Sequence, residues 1–260
     1  GDIHGCLTAL ETVFSAVGPT SEDLVVFLGD YVDRGPQSKQ TIQWILDHGD
    51  NYNFITLKGN HEIMMMRSRV DASFLDKWKG YGGAETLASY GDSDPLDWKI
   101  IPDEHWAFME DGLSIFTHQD SIFVHGGLEP GIPLHQQSDQ AKYWDKYEHP
   151  MAYQANRTVI CGHTARKNGL VANFGHTICI DTYAYGGQWL TCLEVESGKY
   201  WQGNQKGEKR KGTLWSFCIL EFHHSLVINQ EEINRVTCRT RKWFLPWRVW
   251  VKYFLQISRY

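Results

Sequence analysis

Six cysteines occur, at positions 6, 161, 179, 192, 218 and 238, yet no two form a C-x-x-C pair. Cys161, Cys179 and Cys192 lie in apolar runs, where a free thiol behaves as a small buried hydrophobe. This usage fits a reducing compartment better than a disulfide scaffold. No apolar run reaches the roughly 18 residues that a membrane span needs. The first residues show no basic stretch leading into an apolar one, so no secretory signal is visible and a cytoplasmic setting is expected. No internal repeat is found. Positive charge is not in excess either: the formal net charge of -6 gives no reason to expect nucleic acid as a partner.

What is present is a soluble-type composition, 42% hydrophobic and 22% charged over 260 residues, ample for a buried core. The charge is unevenly spread. Residues 205–260 hold 11 Lys and Arg against 4 Asp and Glu, leaving 14 against 27 in residues 1–204. The basic stretch begins at "NQKGEKRKG" and carries four of the eleven tryptophans, with no glycine after Gly212. It supplies no chemistry. We therefore expect a catalytic domain over 1–204 and, over 205–260, a basic aromatic tail that is poorly ordered or non-native.

Along the first part of the chain, helix-like and strand-like segments alternate. "LTALETVFSAV" (7–17) spaces Leu7, Leu10, Val13, Phe14 and Val17 at helical intervals. "LVVFL" (24–28) is a short apolar run, "SKQTIQWILDHG" (38–49) is helical again, and "NFITL" (53–57) is the next buried strand. The 68–120 region is irregular, mixing helix and loop. Apolar strands resume at 121–127, 158–164, 176–182 and 189–195. The last three follow closely on one another, which predicts antiparallel neighbours in a second sheet, and "ESGKYWQ" predicts a hairpin return. The rhythm is α/β, with polar residues at the C-terminal ends of strands, where open α/β sheets place their sites.

Those polar residues share a chemistry. Asp2 and His4 stand in "GDIHG", Asp30 and Asp33 in "GDYVDRG", Asn60 and His61 in "GNHE", His125 in "VHGG" and His163 in "CGHT". Any one of them has a bland explanation as a helix cap or a turn hydrogen bond. Five successive clusters of carboxylate and imidazole beside glycines are another matter, since such groups are costly to bury unless they pair or bind metal. Mixed nitrogen and oxygen donors suit Mn, Fe or Zn, and the lack of cysteine in the set argues against a closed structural zinc site.

The ordered set GDIHG, GDYVDRG, GNHE, HGG and GHT resembles the phosphoprotein-phosphatase family of calcineurin-like metallophosphoesterases. That family includes serine/threonine protein phosphatases and bacterial diadenosine-tetraphosphate hydrolases. The resemblance implies a β-sandwich of two mixed sheets flanked by helices, with the site at the C-terminal ends of strands. It also expects a strand ahead of Gly1, so that the native protein extends further at this end. It implies two divalent metal ions, of which manganese is the expected one and Fe or Zn the alternatives. Asp2, His4 and Asp30 would hold the first, Asp30, Asn60, His125 and His163 the second, with Asp30 as the bridge. A hydroxide between the metals would attack phosphorus in line, His61 oriented by Asp33 would protonate the leaving oxygen, and Arg34 would clamp the phosphoryl oxygens. Family members commonly add a second arginine after a tryptophan. Here "KYWDKYEHP" offers Lys146 instead, and Arg166 is the other candidate. In "DTYAYGGQW", which borders the site in bacterial relatives, Tyr183 and Tyr185 are expected to pack in the core or at the rim.

The expected substrate is a phosphoprotein or small phosphoester, with serine/threonine protein phosphatase as the first reading. Symmetrical hydrolysis of diadenosine tetraphosphate is the alternative. "GNHE" favours the first, because the dinucleotide hydrolases more often read "GNHD". No collar of lysines for a polyphosphate is evident.

Overall fold

A computed structural model describes residues 1–91 and 98–214. The basic tail from residue 215 onward lies outside the described residues. Two strands, β1 (Leu24–Phe27) and β2 (Asn53–Thr56), pair in parallel. Between them runs α2 (Ser38–Gly49), and α1 (Leu7–Val17) comes before. This is the βαβ unit the alternating pattern predicts. Helix α1 buries Ala9, Leu10 and Val13 and stops at Gly18, whose φ of 63° lets its N–H turn back to the Phe14 carbonyl.

After β2 the chain enters α3 (Asn60–Val70), then α4 (Leu75–Trp78), a glycine-rich π-helical segment over Lys79–Gly83, α5 (Ala84–Tyr90) and α6 (Asp103–Asp111). These elements fill the irregular middle. They pack with α1 and α2 in one large core that holds Ile42, Met65, Trp78, Leu87 and Trp106.

The second sheet has five strands: β3 (Ile115–His118), β4 (Ser121–Val124), β5 (Thr158–Cys161), β6 (Ala172–Asn173) and β7 (Thr177–Cys179), in the order β3-β4-β5-β7-β6. Here the antiparallel expectation is corrected. β5 runs parallel to both β4 and β7, with Cys161 beside Cys179. The reason is β6. It forms a tight hairpin with β7, closed at Gly175 (φ 83°), and this reversal returns β7 in the direction of β5. The third run, β8 (Leu190–Leu193), belongs instead to an antiparallel group with β9 (Lys199–Gly203) and β10 (Lys209–Thr213). The hairpin expected at "ESGKYWQ" is the β8–β9 turn. Strand β10 uses the basic residues 209–213, so the first part of the presumed tail is sheet.

Side chains alternate along the strands with period two. On β4 and β5, Ile122, Val124, Val159 and Cys161 face one cluster, while Phe123 and Ile160 face another that also holds Leu28, Leu57 and Ile180. This second cluster joins β1, β2 and β8 to the five-stranded sheet and forms the middle of a sandwich. The architecture is therefore α/β, two mixed layers of strands flanked by helices. Among the described residues no helix is long and apolar enough to cross a membrane.

Candidate metal centre

Each of the five apolar residues in the middle of the sandwich is followed within three positions by a polar residue: Leu28 by Asp30, Leu57 by Asn60, Phe123 by His125, Ile160 by His163, and Ile180 by Asp181. Strands that carry the core thus deliver their ends to one place. The turns there are sharp. Asp30 (φ 55°), Asp33 (72°), Arg34 (71°), His4 (47°) and His163 (60°) all adopt the left-handed backbone region that side chains disfavour. Close approach of glycines makes the turns fit. A Cβ on Gly59 would lie 2.1 Å from an Asp30 oxygen, and one on Gly162 the same distance from an Asp2 oxygen.

Two groups of donors result. Atoms of His4, Asp30 and His61 lie within 4.8 Å of one another, as do atoms of Asp30, His125 and His163. Asp30 is common to both. Its two carboxylate oxygens divide the work, Oδ2 lying 3.4 Å from His4 Nε2 and Oδ1 lying 3.5 Å from His125 Nε2. Asn60 enters through His125, with Oδ1 3.0 Å from Nε2. Asp2 sits under the His163 turn and accepts its backbone N–H at 2.9 Å, and the Asp30 charge acts on it. The first group contains His61, where the resemblance implies Asp2.

The ring tautomers follow from carbonyls, which can only accept. His4 Nδ1–H donates to Val32 O and His125 Nδ1–H to Leu28 O, each at 2.8 Å. Both Nε2 atoms are therefore acceptors: that of His4 takes an Arg34 Nη1–H at 2.8 Å and has Asp30 Oδ2 at 3.4 Å, while that of His125 faces the Asn60 carbonyl oxygen at 3.0 Å. Burial holds His4 and His125 well below the usual histidine range, and His163 is lowered to about 4 for the same reason, so all three imidazoles stay neutral. At His125 two buried acceptors face one another, an arrangement that a divalent cation would relieve. The donor set fits a pair of such ions, each histidine being oriented through its other nitrogen.

His61 points its Nδ1 at Asp33 Oδ2, 2.7 Å away. Asp33 is held in turn by Trp78 Nε1–H (2.9 Å) and Thr86 Oγ1–H (2.7 Å), and its own N–H donates to Thr86 and Ser38. Burial disfavours charge on both partners, pushing Asp33 up to about 7 and His61 down, and the proton between them belongs to the pair. Arg34 lies beside this pair, with Nη1 2.8 Å from His4 Nε2.

Lys146 is exposed, and its charge reaches His163. Arg166 is already engaged by other groups. Its guanidinium pairs with Glu148 at 2.8 Å and donates to the Tyr147 carbonyl. Sequence reasoning missed three residues. Glu62 is fully buried and accepts four backbone N–H groups, those of Gly59 and Asp30 on Oε2 and those of Tyr31 and Val32 on Oε1. Its place in the first turn of α3, just after Gly59, is the available signal. For Trp78 and Thr86, which reach Asp33 from the irregular middle, no local signal exists.

Two layers of strands, with paired donor clusters at their C-terminal ends, define a metal-dependent phosphoesterase. Residues 1–177 match the calcineurin-like phosphoesterase family, and the chain belongs to it. It is 33% identical over 159 residues to "Putative serine/threonine-protein phosphatase C22H10.04" of Schizosaccharomyces pombe, an overlap of 58% of this chain and 46% of that protein. The chain thus matches about half the length of this curated relative. Among solved structures it is similar to one described as "a putative diadenosine tetraphosphatase" (TM-score 0.58, 18% identity, 83% of this chain and 91% of that one). It is also similar to the cold-active protein-tyrosine phosphatase of a psychrophilic Shewanella (TM-score 0.53, 16% identity, 81% and 78%). At these identities the structures show a shared fold.

Proposed function

We propose that the protein hydrolyses phosphate monoesters on proteins, with phosphoserine and phosphothreonine as the first choice of substrate. The observation that carries this reading is Asp30, which belongs to both donor groups at once. In this reading Asp2, His4 and Asp30 hold one ion and Asp30, Asn60, His125 and His163 the other, with manganese the expected metal. Two divalent ions held there would supply a nucleophilic oxygen at neutral pH and polarise the phosphoryl group.

The chain's own residues do the rest. His61, fixed through Nδ1 by Asp33, turns its other nitrogen toward the clusters, where it can pass a proton to the departing alkoxide. Arg34 presents a planar guanidinium to the phosphoryl oxygens. Lys146 adds positive charge from the His163 side, whereas Arg166 is committed to Glu148.

The protein-phosphatase reading is supported by the relative in Schizosaccharomyces pombe and by "GNHE". Hydrolysis of diadenosine tetraphosphate is the second reading, favoured by the fold likeness to the structure described under that activity. Parallel turnover of a phosphoserine peptide and diadenosine tetraphosphate, each with added Mn²⁺, separates the two. Faster cleavage of the dinucleotide, with ADP as product, would sink the first. Because β10 continues the sheet, we also propose that the catalytic domain ends after Thr213 rather than at 204. A chain ending at Leu214 should keep the activity of the full sequence, and its loss would refute that boundary.

A further inference from the structure

Tyr185 belongs to a stretch, "DTYAYGGQW", that the reaction as described leaves unused. The local fold aims it. Tyr183 takes a left-handed backbone (φ 66°) and donates its N–H to Asp181 Oδ1, and a single 3-10 turn over Ala184–Gly186 follows, ending at Gly187 (φ 84°). The turn brings the half-buried Tyr185 ring edge-on to His4 at 4.8 Å and to Tyr183 at 4.7 Å. The Arg34 guanidinium lies over the same ring, 4.5 Å from its centre.

Among the described residues, Arg34 is otherwise hydrogen-bonded through its backbone and to His4, and its charge acts on Asp30 and Asp33. Its N–H donates to the Gly82 carbonyl, and Gly82 (φ 111°) comes so close that a Cβ there would lie 2.6 Å from the Arg34 nitrogen. Beyond the guanidinium opens a groove of about 410 Å³, lined by Arg34, Lys79, Tyr81, Gly82, Glu85 and Tyr185. An arginine side chain left to itself samples many rotamers, and ordering it on substrate binding costs up to about 2 kcal/mol. A ring face beneath the guanidinium removes part of that cost in advance.

We propose that Tyr185 is the positioning residue for Arg34: its ring holds the guanidinium at the mouth of the groove, aligned for the phosphoryl oxygens. The inference rests on the reading of Arg34 as the phosphoryl contact. It assigns Tyr185 no proton transfer and no metal bond. Its chemistry is a neutral aromatic face, so phenylalanine should replace it and leucine should not.

The test uses the Mn²⁺-loaded full chain, p-nitrophenyl phosphate as substrate and inorganic phosphate as competitive inhibitor. Tyr185→Leu should raise KM and the phosphate inhibition constant about tenfold, a factor corresponding to about 1.4 kcal/mol, while kcat falls less than about threefold. Tyr185→Phe should stay within about twofold of the parent. In an Arg34→Ala background, Tyr185→Leu should cause no further loss, because the residue it positions is gone. Unchanged phosphate inhibition in Tyr185→Leu, or full additivity with Arg34→Ala, overturns the proposal. A fall in thermal midpoint with unchanged inhibition would mark Tyr185 as packing only and also overturn it. Failure of the parent protein to hydrolyse the ester or bind phosphate would instead refute the phosphomonoesterase reading itself, and the role of Tyr185 with it.

Discussion

Replacing Glu62 with glutamine changes one oxygen to an NH₂ group and keeps the size of the side chain. In the native site the carboxylate accepts N–H groups from Asp30 and Gly59 on one oxygen, each at 2.9 Å, and from Tyr31 (2.7 Å) and Val32 (3.3 Å) on the other. Whichever way the amide turns, its NH₂ faces two backbone donors for which Glu62 is the acceptor among the described residues. The cheaper orientation gives up the Tyr31 and Val32 pair, since the Val32 bond is already long. A buried donor left unsatisfied costs about 1–3 kcal/mol, so two cost roughly 2–6 kcal/mol. Part of this is offset, because Glu62 and Asp30 repel one another as neighbouring carboxylates and glutamine removes that repulsion. We expect a net loss of about 2–4 kcal/mol, a large share of the stability of a domain that folds with only about 5–15 kcal/mol to spare. The assay is urea unfolding of chelator-treated protein at pH 7, which keeps metal affinity out of the comparison. The midpoint should fall with the slope unchanged. Glu62→Asp should also destabilise, because the shorter side chain reaches one loop or the other and not both. A Glu62→Gln midpoint within about 0.5 kcal/mol of the parent would refute the claim that this carboxylate ties the 30–32 turn to the start of α3.

Asp30→Asn should weaken ion binding in both donor groups and abolish ester hydrolysis, and retention of two tightly bound ions in a metal analysis would show that Asp30 does not bridge them. Gly82→Ala forces a side chain into the left-handed region against Arg34, so it should cost about 1–3 kcal/mol in urea unfolding and raise the phosphate inhibition constant. An alanine variant that is unaltered in both would show that the backbone at 82 does not hold Arg34. His105 is buried against Tyr90 and Gln43 and lowered by burial to about 4, below the roughly 6.5 of an unfolded chain. The folded state therefore resists its protonation. Its contribution is complete above pH 6.5 and declines as pH falls from 6.5 toward 4. His105→Gln should lose less stability over that interval than the parent, by about 3 kcal/mol in pH-dependent unfolding, and an identical pH slope would refute the assignment.

The helices at 7–17 and 38–49 and the strands beginning at 24 and 53 are legible because each carries its own period and its own stop. The candidate donor residues are legible because metal chemistry uses few residue types and the chain sets them beside glycine after apolar runs. What stays hidden depends on partners far along the chain. Nothing near Asp33 announces Trp78 or Thr86, which lie 45 and 53 residues away. The direction of β7 is hidden because a two-residue strand, β6, is too short to show a pattern and yet decides the topology. Glu62 looks like an ordinary first-turn acid until the 30–32 loop is seen to converge on it. Tyr185 looks like rim packing because a cation over a ring leaves no trace in sequence.

The apolar residues in the middle of the sandwich lie one to three positions ahead of the site residues, and they come from both sheets. The packing between the two layers therefore bears on how Asp30 and Asn60 on one side meet His125 and His163 on the other. A methylene added or removed at Leu28, Phe123 or Ile160 would act like a shim in a gauge, altering how the two halves of the donor cluster stand without touching one of its side chains. The fit of any ion held there would be set in part from the dry interior of the protein.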